Sequence, residues 1–232
     1  MTGTSVITGG ATGIGYAMAA HLLAGGGEVL ICGRREQRLA QAGESLPGVR
    51  TLCCDVTDPA DRVRLVDFVA DTMPGVAMLV NNAGIQRDID LTNPAGLEGE
   101  SEIAVNLEAP IALSALFTPL LAGKPGATIV NVSSALAFMV ERATRCPVYC
   151  ATKAGLHAFS IAQRIQLAPL GIRVVEIIPP AVESELNMES RLKRGFVTSP
   201  NMMSAAEFVE KAMAQMDDGT DEIRVGMKWK ES

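Results

Sequence analysis

Along the chain, short runs of continuous apolar residues alternate with stretches of helical apolar spacing. Residues 4–8, 29–32, 50–54, 78–80, 128–132 and 172–178 read as strands, and 222–226 as a last short one. Residues 13–24 read as a helix, with Ile14, Met18, Leu22 and Leu23 toward one side. Further helices are expected over 36–46, 96–121, 148–168 and 205–216, and another opens at Asp58-Pro59 and runs through Leu65 and Val69. Pro110 predicts a kink or break in 96–121, because proline has no N–H to give. Strands that are apolar throughout are covered on both faces, so the alternation predicts an α/β fold with a parallel sheet between helical layers. We expect one domain over 1–232, with the irregular stretch 183–201 as its lid.

Composition narrows the function classes. The 232 residues carry 26 acidic and 20 basic side chains, a net charge of −6, which argues against a nucleic-acid partner needing a basic face. With only His21 and His157 as histidines, no metal site is expected. Cys32, Cys53, Cys54, Cys146 and Cys150 show no C-x-x-C spacing and read as reduced thiols of a cytoplasmic protein. No secretory signal is seen at the start, and no apolar run of ~18 residues, so no membrane span is expected.

Thr8-Gly9-Gly10-Ala11-Thr12-Gly13-Ile14-Gly15 joins the first strand to the first helix. Glycines let the backbone turn sharply and approach a pyrophosphate, and a helix N-terminus offers that anion free N–H groups. A plain glycine-rich turn is the alternative, but the position inside a β-α-β unit favours dinucleotide binding. Gly9, Thr12, Gly13, Ile14 and Gly15 are the candidate contacts. After the second strand, Gly33 stands where a carboxylate would hold the adenosine ribose, and Arg34 and Arg35 follow. Arginine bonds a phosphate bidentately, so NADP(H) is expected over NAD(H). The alternative is a pair of solvated charges, disfavoured at a helix N-terminus. Asp55 and Val56, after the third strand, are placed to border the adenine.

Tyr149 and Lys153 are four apart on a predicted helix and share a face. An ammonium near a phenol lowers its pKa, which suits Tyr149 to proton exchange with a carbonyl oxygen. The pair alone is more often an ordinary surface pair. Ser133-Ser134 at a strand's carboxyl end, where ligands of such sheets bind, adds a hydroxyl for the reacting oxygen.

Together these segments resemble the short-chain dehydrogenase/reductase family, single-domain type. The matching residues are Thr8 to Gly15, Cys54-Asp55-Val56, Asn81-Asn82-Ala83-Gly84, Asn106, Ser134, Tyr149-x-x-x-Lys153 and Pro179-Pro180-Ala181-Val182, in family order. Residues 179–186 also resemble a bacterial subgroup, the DltE-like oxidoreductases. The resemblance implies a three-layer doubly wound Rossmann fold with a mostly seven-stranded parallel sheet. It implies Tyr149 as general acid/base, Lys153 as the group that lowers its pKa and bonds the nicotinamide ribose, and Ser134 as the polariser of the carbonyl. It implies Asn106 as the holder of a water that links Lys153 to solvent. Asn82, Ala83 and Gly84 would border the ribose, and Pro179, Val182 and Ser184 the nicotinamide carboxamide. Ser134 and Tyr149 are fifteen apart, slightly more than usual, so Ser133 stays a weaker alternative and 140–147 becomes a wall of the substrate site.

Four neighbouring features keep two readings each. Glu141, Arg142 and Arg145 either recognise a polar substrate or are solvated. Cys146 and Cys150 are either redox-active or packing residues, His157 packs between helices or acts in catalysis, and Met202-Met203 form a lid wall or ordinary packing. The leading expectation is reduction of a ketone or aldehyde, or its reverse, by a homo-oligomer (tetramer or dimer) joined through the helices 96–121 and 148–168. A non-catalytic dinucleotide sensor or scaffold of the same fold is the alternative.

Overall fold

The computed structural model describes residues 3–93, 97–183, 185–186 and 202–226, with the side chain of Arg142 excepted. Seven strands form one sheet: β1 (Thr4–Thr8), β2 (Glu28–Gly33), β3 (Arg50–Cys53), β4 (Val76–Asn81), β5 (Thr128–Val132), β6 (Arg173–Ile177) and β7 (Glu222–Ile223). Every pairing is parallel, in the order β3-β2-β1-β4-β5-β6-β7. The winding reverses between β1 and β4, and a crevice opens there at the strands' carboxyl ends.

The helices are α1 (Gly13–Ala24), α2 (Glu36–Ser45), α3 (Pro59–Thr72), α4 (Ala109–Leu121), α5 (Pro147–Leu167) and α6 (Ala205–Asp217). One face of the sheet packs on α1, α2 and α6 through Met18, Leu22, Leu39 and Phe208. The other packs on α3, α4 and α5 through Leu65, Leu113, Phe117 and Leu167. Each such side chain contributes about 2 kcal/mol on burial, which is why a strand in the middle layer is apolar on both faces. Asp58 starts α3 by accepting from Ala60 N–H at 2.8 Å, with Pro59 behind it.

Two expectations change. The helix expected over 96–121 starts later; Gly96 lies outside the described residues, and a π turn at Ala104–Glu108 precedes α4. Pro110 has no N–H for the carbonyl of Asn106, so the ladder slips and Ala109 N–H reaches back to Ala104. The run Ala104–Leu121, with mean hydropathy 1.4 over 18 residues, is also long and apolar enough to cross a membrane, contrary to the expectation of no such run. Its hydropathy has a structural cause, because Leu113, Phe117 and Leu121 face the core.

Most of the expected lid, 183–201, lies outside the described residues, as does Ser184. The described ends meet: Val182 bridges Met203, and Glu183 N–H donates to Met203 O at 3.1 Å.

Candidate active site

The glycine loop is clamped to the end of β4. Thr8 Oγ1 donates to Val80 O and accepts from the N–H groups of Asn82 and Ala83, both at 3.0 Å. Asn82 Nδ2 donates to Thr8 O at 2.9 Å and to Gly9 O at 3.1 Å. The approach is too close for side chains. A Cβ on Gly9 would stand 2.9 Å from Ala83 Cα, and one on Gly15 would stand 2.4 Å from Asn82 Nδ2. Gly9 and Gly13 also hold φ near +60°, at 62° and 58°. At the start of α1 there is no acidic residue and no side-chain cap, so its first N–H groups face the crevice unspent. That arrangement fits the pyrophosphate of a dinucleotide.

A cleft of about 1030 Å³ runs from this loop across the carboxyl ends of the strands. All but three of the expected site residues line it. Gly15 and Asn106 stand behind its wall, and Ser184 is outside the described residues. Gly33 faces open space, since a Cβ there would meet nothing within 4 Å. Beside it, Arg34 pairs with Glu100 and lies 3.9 Å from Asp55. Arg35 pairs with Glu185 at 2.8 Å and donates to Thr12 Oγ1 at 3.2 Å, and Arg38 reaches the other oxygen of Glu185 at 2.7 Å. The residues present therefore fit an adenosine phosphate here, with three guanidinium groups held by exposed carboxylates.

At the other end the groups are buried. Ser134 follows β5, and its Oγ accepts from Leu136 N–H at 3.2 Å. Ser133, the weaker alternative, spends its hydroxyl on Ile177 O at 3.5 Å. Tyr149 and Lys153 project from the first turns of α5, 5 % and 4 % exposed. Lys153 Nζ donates to Val132 O at 2.8 Å and lies 5.8 Å from the Tyr149 ring centre. Burial pushes the Tyr149 phenol well up from its ordinary value, with the hydrogen bond from Ser134 pulling the other way. Burial lowers the Lys153 ammonium to about 8, opposed by the charge of Glu176. The expected depression of Tyr149 by Lys153 is thus not the dominant effect in the free protein; desolvation is.

Asn106 is fully buried beside the catalytic end. Its side chain is committed, with Oδ1 accepting from Ile85 N–H at 2.9 Å and Nδ2 donating to Ile85 O at 2.8 Å and Thr152 Oγ1 at 3.2 Å.

The flanking features resolve in part. Cys146 and Cys150 pack with Ala143 against Tyr149, and burial raises both thiols, that of Cys150 to about 11. All five cysteines are free. The loop 140–147 does not form the expected wall of the substrate site: none of its described residues is in the cleft lining, and Glu141 and Arg145 are exposed. Met202 lines the cleft, whereas Met203 joins the core. Sequence reasoning missed Glu100 and Glu185, whose only signal is the acidic spacing in Glu98-Gly99-Glu100 and Glu183-Ser184-Glu185. It also missed Gln86, Leu136 and Leu186, which line the cleft near the hydroxyl groups.

Comparison with known proteins places this arrangement. The family model for short chain dehydrogenases matches residues 4–195. The chain is 44 % identical over 223 residues to the uncharacterized oxidoreductase DltE of Bacillus subtilis (strain 168), covering 95 % of this chain and 86 % of that protein. A short-chain dehydrogenase from Sphingobium yanoikuyae, solved in complex with NADPH, superposes with a TM-score of 0.83 at 26 % identity, over 97 % of this chain and 89 % of that one. A short-chain dehydrogenase from Burkholderia cenocepacia J2315, solved with NADP, gives 0.77 at 25 % identity over the same shares.

Proposed function

The chain belongs to the short-chain dehydrogenase family and is DltE-like, and from that premise we propose that it is an NADP(H)-dependent oxidoreductase acting on a carbonyl/alcohol pair, in the reductive direction a ketone or aldehyde reductase. The observation that carries this reading is one cleft with Ser134, Tyr149 and Lys153 at its buried end and Arg34 and Arg35 beside Gly33 at the other. The NADPH and NADP bound in the two solved relatives support the cofactor choice.

When bound, the dinucleotide supplies the hydride. The protein's part is positioning and proton transfer. Arg34 and Arg35 release Glu100 and Glu185 to receive the 2′-phosphate, and the open N-terminus of α1 receives the pyrophosphate. Ser134 Oγ hydrogen-bonds the substrate oxygen, and Tyr149 gives it the proton that reduction requires. A buried phenol with a raised pKa keeps that proton until the oxygen becomes basic. Lys153 keeps two N–H groups beyond the one on Val132 O, enough for a ribose hydroxyl and a water. Asn106 holds that water, which restores the proton from solvent.

We also propose assembly as a dimer or tetramer through α4 and α5, which expose Ile111, Ile161 and Ile165. The free cysteines support a cytoplasmic setting. The test of function is NADPH consumption with a panel of ketones and aldehydes, run on the wild type and on Tyr149→Phe. The reading predicts turnover by the wild type and a loss of about a thousandfold or more in the variant. Turnover retained by the variant removes Tyr149 from its role.

A further inference from the structure

A row of polar side chains crosses the sheet on the face covered by α4 and α5. Asn81 stands opposite Asn131, Asn131 opposite Glu176, and Glu176 opposite Glu222, on strands β4 to β7. The first half of the row is neutral and paired in part, with Asn81 Oδ1 and Gln163 Nε2 left without a partner among the described residues. Asn81 Nδ2 donates to Asn131 Oδ1 at 2.9 Å, and Asn131 Nδ2 donates to Ser160 Oγ at 2.9 Å and Gln163 Oε1 at 2.8 Å. The second half carries charge. Glu176 is fully buried, with Oε2 held by His157 Nδ1 at 2.7 Å, while Oε1 has no hydrogen-bond partner among the described residues. A carboxylate only accepts, so Nδ1 of His157 carries the proton.

A half-paired carboxylate in a sheet core is costly, and its presence asks for a compensating charge. Lys153 is placed to provide one. It lies one turn before His157 on the same face of α5. Its Nζ sits at Val132 O, and Val132 stands opposite Ile177, the residue after Glu176. The other titratable or charged groups around the pair are Tyr149 and His157 on α5 and Glu222 on β7, the last engaged by Arg224. From β5 the row presents the neutral Asn131.

We propose that Glu176, oriented by His157, is the buried counter-charge of Lys153 and so a positioning residue for the catalytic lysine. The consequence for turnover rests on the function proposed above; the charge coupling does not. Glu176 favours the ammonium that burial disfavours, and so keeps Lys153 charged where Tyr149 and the cofactor need it. His157 Nδ1 fixes Oε2 of Glu176 at 2.7 Å, and without that bond the carboxylate is no longer held in place and the support weakens.

The test uses the free, full-length protein and needs neither substrate nor cofactor. Lysine side-chain NMR, with Lys153 assigned by its disappearance in Lys153→Met, follows the Lys153 titration. The wild-type titration is expected near pH 8. In Glu176→Gln it moves down by about one unit, and in the half-exposed His157→Gln it moves the same way by less. An unchanged or raised Lys153 titration in a folded Glu176→Gln overturns the proposal. If that variant does not fold, an unchanged titration in His157→Gln does the same. A purely structural role for the pair would lower stability and leave Lys153 where it was. A shifted titration in a protein that reduces no carbonyl would keep the charge pair and discard the function.

Discussion

The two ends of the cleft bring together the same chemical groups, cations and carboxylates, in opposite surroundings. At the adenosine end, Arg34, Arg35 and Arg38 meet Asp55, Glu100 and Glu185 with side chains 36–58 % exposed. At the catalytic end, Lys153 is 4 % exposed and Glu176 0 %. In water such pairs are worth about 0–1 kcal/mol each and exchange readily for a ligand phosphate. Out of water, desolvation moves pKa values by whole units and sets which groups hold protons. The outer end is therefore suited to reversible cofactor capture, and the inner end to proton transfer.

The largest effect should come from Gly15→Ala, because the new Cβ collides with Asn82 Nδ2 and with Gly9 O at 2.6 Å. We expect a loss of about 3 kcal/mol in thermal or denaturant unfolding, together with weakened binding of either cofactor. A variant as stable as the wild type would show that the loop is not clamped as described.

Lys153→Met sharpens the contrast through pH. The Lys153 value falls from near 10.5 to about 8 on folding, so the unfolded chain binds more protons between those limits. Wild-type stability consequently gains from this group as pH rises through that window. Relative to wild type, Lys153→Met should lose up to roughly 3 kcal/mol between pH 8 and 10.5, with its relative stability greatest below 8. A difference flat with pH would put Lys153 in water and erase the distinction between the ends.

At the outer end, Arg34→Ala should weaken NADPH binding about tenfold and NADH binding about twofold or less, with the gap narrowing as salt is added. Equal losses would make Arg34 structural. Glu100→Gln should have the smallest effect, a stability change within about 0.5 kcal/mol and NADPH binding up to about twofold tighter. Weaker binding would mean that Glu100 orients Arg34 rather than competing for it.

Much of this was legible in the chain, and the exceptions share a cause. Strands covered on both faces are rich in apolar and β-branched residues, so 4–8, 29–32 and 128–132 could be placed closely from their composition. The loop Thr8 to Gly15 and the spacing of Tyr149 and Lys153 were legible because each pairs a residue pattern with a position in a β-α-β series. The start of the 96–121 helix was not, because apolar spacing does not register the missing N–H of Pro110. Ser134 was separable from Ser133 only once the end of β5 showed which hydroxyl turns toward Ile177 O. Glu100 and Glu185 look like solvated charges, and they acquire partners only through contacts distant in sequence. Glu176 hid inside an apolar strand pattern, and its link to His157 depends on how α5 packs on β6.

The central claim, a cleft built for NADP(H), is tested most directly by fluorescence titration of the wild-type protein with NADPH and, separately, NADH at low salt. The account predicts that NADPH binds about tenfold or more tightly than NADH. Equal binding, or preference for NADH, would contradict it.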